Sequence, residues 1–268
     1  MAERIRSKPV TFSIIFTLLI TILWRVILGT GTPDMSMQMF IGMVVIIICT
    51  IFAVFLVGTI NQTNGFKHVF RTKGFMKGLL VLVPAMAFFA FNLMFNVSGV
   101  VINDDVNIMD FPPVMLLQVV LAFMMNIVYR GLLVTALFVK LSSTENKRVK
   151  SVFLAAALYL AVYIPLVILN TGGIELTQIL NTFVVSAGVC AAYMYSRNLM
   201  SIIAVQGIWQ ILGSAIEFFG VSEYAQTILT PMMFIIYIII LISILAVAIN
   251  FSRRAEPFSC IKKNEIHI

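Results

Sequence analysis

Arg130 stands inside the apolar run 111–139, which contains no acidic residue to neutralise it. A lone cation at the middle of a membrane helix costs about 2.5–3.5 kcal/mol even on lenient insertion scales. The residues 131–139 separate it from Lys140. That is about 15 Å of helix, too far for the side chain to reach the aqueous boundary easily. Asn126 lies four residues earlier, and the same spacing joins Tyr159 to Tyr163 and Gln206 to Gln210, with Gly213 continuing the last stripe. On helices each pair shares one face. Guanidinium, amide and phenol groups hold anions, exchange hydrogen bonds and stack on one another. They make poor proton acceptors, so their chemistry is recognition before it is catalysis. Gln and Tyr pairs also serve as plain interhelical contacts at about 0.6 kcal/mol each, whereas a buried guanidinium demands a stronger reason.

Other reactive groups are sparse. The two histidines, His68 and His267, fall in a connection and in the tail, where neither is expected to reach the interior of a bundle. No carboxylate sits in the core of an apolar segment, Glu175 and Glu217 being near segment ends. Ser186, Ser201 and Ser214 lack a paired base and read as packing residues. Cys49, Cys190 and Cys260 form no Cys-x-x-Cys or His-Cys cluster and read as unpaired thiols.

The elements that must hold these residues follow from composition. The chain is 61% hydrophobic and only 11% charged, with a mean hydropathy of +1.05. A soluble domain carries roughly a quarter charged residues. The expected fold class is therefore all-α, a polytopic membrane helix bundle forming a single domain over 1–268. Eight segments are predicted to span, at 10–28, 37–60, 79–101, 112–139, 151–169, 176–196, 199–217 and 227–251, and 252–268 forms a tail. The first follows a basic start, yet 29–34 offers no small-x-small cleavage site, so it is expected to be retained.

Lys67, Arg71, Lys73, Lys77, Lys140, Lys147, Arg148, Lys150, Arg197, Arg253, Arg254, Lys262 and Lys263 fall in alternate connections and the tail. Asp34, Asp104, Asp105, Asp110, Glu175, Glu217 and Glu223 fall in the others. The positive-inside rule then places both termini in the cytoplasm of a cell membrane. The net charge of +7 reports topology and attraction to anionic headgroups. The basic connections carry few aromatics, so the bilayer is the expected partner and nucleic acid is not. No internal repeat is evident, and only Pro84 and Pro165 interrupt spans, which disfavours a small-solute transporter of inverted halves with broken helices.

Order and spacing of the polar stripes resemble the CPBP family (CAAX protease and bacteriocin-processing, or Abi, proteins), over roughly 80–220. That family carries Glu-Glu-x-x-x-Arg-Gly-Leu-Leu in one helix, Phe-x-x-x-His in the next and His-x-x-x-Asn, often His-Ala-Leu-Trp-Asn, two helices later. Here the first motif reads Met125, Asn126, then Arg130-Gly131-Leu132-Leu133; the second reads Tyr159 and Tyr163; the third reads Gln206, Trp209 and Gln210. The resemblance implies that active members use those glutamates and histidines, with a bound metal, to activate water for peptide hydrolysis. Met125, Asn126, Tyr163 and Gln206 replace them here, so neither metal nor cofactor is expected. The expected function is that of a noncatalytic scaffold or regulator. A lipid-like ligand, a peptide or a membrane protein would occupy the former active-site cavity, lined by Asn126, Arg130, Tyr163, Gln206, Trp209 and Gln210. Bacteriocin self-immunity in a bacterium is the setting the family suggests. The competing expectation is an active intramembrane endopeptidase with a non-standard site.

Overall fold

The computed structural model describes residues 2–29, 35–61, 64–97, 100–102, 107–141, 143–171, 175–222 and 231–256. Asp34, Asp104, Asp105, Glu223, Cys260, Lys262, Lys263 and His267 lie outside them. The chain is a helical bundle in the order α1 (Ala2–Ser7), α2 (Pro9–Gly29), α3 (Met35–Asn61), α4 (Gly65–Val69), α5 (Phe75–Val97), β1 (Val100–Ile102), α6 (Phe111–Met125), α7 (Thr135–Leu141), α8 (Glu145–Thr171), α9 (Leu176–Ser196), α10 (Leu199–Phe219), β2 (Gly220–Ser222) and α11 (Pro231–Arg254). Among the described residues, seven helices are long and apolar enough to cross a membrane. The eighth expected span falls on α2, a 21-residue helix. This is a multi-pass membrane protein.

The helices begin and end for local reasons. Pro112 and Pro113 occupy the first positions of α6, where the missing N–H groups need no intrahelical partner. Asn64 Oδ1 accepts from the Phe66 and Lys67 amides and caps α4. Asn198 Oδ1 accepts from the Ser201 amide and starts α10. The helix α9 ends at Arg197, a residue in the left-handed region at φ +53°.

Two expectations shift. Basic Lys147, Arg148 and Lys150 lie within the first turns of α8, which starts at Glu145 and not at 151. The third span ends at Val97, and Val100–Ile102 pairs antiparallel with Gly220–Ser222. That ribbon departs from a purely helical chain because the two loops meet at one end of the bundle and satisfy each other's backbone groups.

At the other end the basic connections converge. Asn198 Nδ2 donates to the Arg71 carbonyl, Arg148 Nη1 donates to the Ala255 carbonyl at 2.6 Å, and Arg197 Nη2 donates to the Glu256 carbonyl at 2.9 Å. The core centres on α9, whose buried Ala187, Gly188, Ala191 and Ala192 admit close neighbours. A methyl group on Gly188 would come to 2.6 Å from Ile244 Cγ2 of α11, the close approach that small residues allow in membrane bundles.

Candidate functional site

Between α6 and α7 the helix widens. Asn126–Val134 is a π-helical segment, fully buried, and it contains Arg130-Gly131-Leu132-Leu133. Such insertions are uncommon and concentrate at functional positions. Nothing in the periodicity of 111–139 announces it. Gly131 has a packing role there, since a methyl group on it would come to 2.9 Å from Leu199 Cδ1. The Gly131 position therefore lets the start of α10 approach the π-helical segment.

Arg130 is 4% exposed. Its Nη1 donates to Asn126 Oδ1 and to Gln206 Oε1, both at 2.6 Å. Asn126 is fully buried and donates its own Nδ2 to the Ala122 carbonyl at 2.7 Å, so its amide is locked between its helix and the guanidinium. The Tyr159 ring lies under the guanidinium, 5.4 Å from Cζ to its centroid. Tyr163 stacks on Tyr159 at 6.0 Å and its hydroxyl accepts from Gln178 Nε2 at 3.3 Å. Trp209 stacks on Phe89, ring centroids 4.9 Å apart.

These groups surround a cavity of about 300 Å³ lined by Phe88 and Phe89 of α5, Arg130, Tyr159 and Tyr163 of α8, Asn181, Thr182, Val185 and Ser186 of α9, and Gln206, Trp209 and Gln210 of α10. Three polar stripes expected to face one another do so. Met125 takes no part in the lining and packs against the hydrophobic core. Asn126 reaches the cavity only through Arg130.

The contributions of α5 and α9 are absent from the sequence reading. Phe88 and Phe89 look like ordinary lipid-facing residues, and Ser186 looks like packing. Ser186 is nevertheless 2% exposed and lines the cavity. Its four-residue spacing to Cys190 is the one signal that a polar face continued onto α9.

His68 requires a correction. Expected to stay clear of the interior, it lies on α4, which folds the second connection back on the bundle and buries Val69. His68 Nε2 is 2.8 Å from the hydroxyl of fully buried Tyr193, and that hydroxyl is 2.9 Å from Thr135 Oγ1. Burial, with the charges of Arg71 and Arg197, pushes the His68 pKa down from 6.5 to about 4. His68 does not line the Arg130 cavity.

Residues 107–212 match the family model of the type II CAAX prenyl endopeptidases, Rce1-like. Over this stretch the chain is similar to that family. The matched stretch contains all three motif regions, 125–133, 159–163 and 206–210, and excludes α5, although α5 walls the same cavity. No curated protein and no solved structure matches the chain.

The metal that the family resemblance implies does not suit the donors of this cavity. The cavity presents a guanidinium, amides, phenols and hydroxyls. Among the described residues no group of three His, Cys, Asp or Glu side chains is placed to hold a metal ion. Divalent metals prefer imidazole, thiolate or carboxylate ligands, and a fixed cation at the centre opposes them. What the arrangement can do is recognise a polar group inside the membrane through Arg130 and the surrounding amides.

Proposed function

We propose that this chain is a noncatalytic multi-pass membrane protein of the CPBP type, a scaffold or regulator that holds a membrane ligand or partner in the cavity around Arg130. The observation that carries the reading is the pair of bonds from Arg130 Nη1 to Asn126 Oδ1 and Gln206 Oε1. Those two residues stand where the family motif has a glutamate and a histidine. Here both serve as neutral acceptors for a guanidinium, and neither can take a proton from water at ordinary pH. The site is thus organised around a fixed positive charge. Bacteriocin self-immunity in a bacterial cell membrane, with both termini cytoplasmic, is the setting proposed for this role.

The test is a comparison of capture and cleavage. The protein is purified in mild detergent with whatever membrane component accompanies it, and candidate polypeptides are offered with and without a metal chelator. Capture that survives the chelator, with no cleavage product, is the expected outcome. Chelator-sensitive proteolysis that disappears in Arg130→Ala would replace this reading with an intramembrane endopeptidase.

A further inference from the structure

The hydrogen bonds that Arg130 lacks define the chemistry of a ligand. Nη1 is occupied by Asn126 and Gln206, and the face of the guanidinium is covered by Tyr159. Nε is buried with no acceptor, and Nη2 donates to no acceptor among the described residues. Nε and Nη2 form the edge of an arginine that meets a carboxylate through two parallel hydrogen bonds. The ion pair found among the described residues is Arg197–Glu256, at the basic end of the bundle. A buried charge whose best edge is unused is costly, and an incoming carboxylate would relieve that cost.

One turn further along α10, Gln210 points to a second requirement. Its Oε1 is buried and unpartnered, and its amide makes no hydrogen bond within the described residues. Because Gln206 already contacts Arg130, Gln210 lies about 6 Å from that contact along the helix. An amide offers one acceptor and two donors, so it complements another amide whichever way it is turned. Ser186 Oγ, buried and without a hydrogen-bond partner among the described residues, adds a third polar atom to the same wall. The volume of about 300 Å³ is at the small end for ligand sites. It suits a head group rather than a whole lipid, and Phe88, Phe89 and Trp209 provide the apolar walls beside it.

We propose that the cavity binds an amphiphile of the N-acyl amino acid class, its carboxylate side-on to Arg130 and its amide paired with Gln210. This rests on the binding role proposed above and specifies the ligand for it. The full chain carrying Trp24→Phe leaves Trp209 as the single tryptophan. Its fluorescence in detergent micelles is titrated with N-lauroylglycine, lauric acid and N-lauroylethanolamine, the last keeping the amide without the charge. N-lauroylglycine is expected to saturate the signal, with N-lauroylethanolamine weaker by about ten-fold or more.

Arg130→Lys should weaken N-lauroylglycine by a similar factor, because an ammonium does not present two parallel donors. Gln210→Leu should reduce N-lauroylglycine to the level of lauric acid and leave lauric acid unchanged. Gel filtration identifies misfolding of the Arg130 variant, and the Gln210 variant then decides. Equal binding of the charged and neutral amides, unchanged selectivity in Gln210→Leu, or no saturable signal would overturn the proposal. The broader binding role is judged separately, by chelator-insensitive capture without cleavage.

Discussion

Arg130 on the π-helical segment and Gln206 on α10 are joined by a hydrogen bond of 2.6 Å across the centre of the bundle, 76 residues apart in the chain. Because Asn126 takes the same nitrogen, the π-helical turn, its guanidinium and α10 are held as one unit. The cavity lies beside that unit and inherits its rigidity.

Removing the acceptor tests the tie. Gln206→Leu leaves the guanidinium short of a partner and is expected to destabilise the bundle by about 1.5–3 kcal/mol, the cost of losing a hydrogen bond to a charged group. Thermal unfolding in detergent should show the lower midpoint. An unchanged midpoint would mean that the bond is not energetically important.

The Gly131 contact predicts a coupled pair. Gly131→Ala drives a methyl group to 2.9 Å from Leu199 Cδ1, for which overpacking costs about 1–3 kcal/mol. Leu199→Ala is itself destabilising because Leu199 is fully buried. The double variant should lose less stability than the sum of the two single losses, by about 0.5 kcal/mol or more. Strict additivity in a denaturation cycle would argue against the contact.

His68 predicts a pH dependence. Its folded pKa, about 4, lies below the ordinary 6.5, so the unfolded chain binds more protons between those values. Stability is therefore highest above about pH 6.5 and declines as the pH falls toward 4. His68→Gln should flatten that part of the profile. Profiles that superimpose for the two proteins would show that His68 is not the titrating group.

Orientation is tested with Cys260, which lies outside the described residues. A membrane-impermeant thiol reagent should fail to label it in intact cells and succeed after permeabilisation, if the basic connections face the cytoplasm. Labelling of intact cells would reverse the proposed topology.

How much of this was visible in the sequence depends on the range of the interaction involved. Apolar runs long enough to cross a bilayer follow from composition alone, because every backbone group in lipid must be paired internally and only a helix does that within one segment. The four-residue spacings of Asn126 with Arg130, Tyr159 with Tyr163 and Gln206 with Gln210 likewise marked three inward faces, since helical geometry fixes which residues share a side. Motif order was equally readable, and 107–212 matches a family model.

Tertiary structure alone decided the rest. It widened Asn126–Val134 into a π-helix, brought α5 and α9 to the cavity wall, packed Met125 against the core and turned His68 inward to Tyr193. Each depends on packing between residues far apart in the chain, as when Gly131 admits Leu199 or α4 folds over α9. Local periodicity carries no record of such contacts, because side-chain volumes from several helices must be satisfied together before any one of them settles.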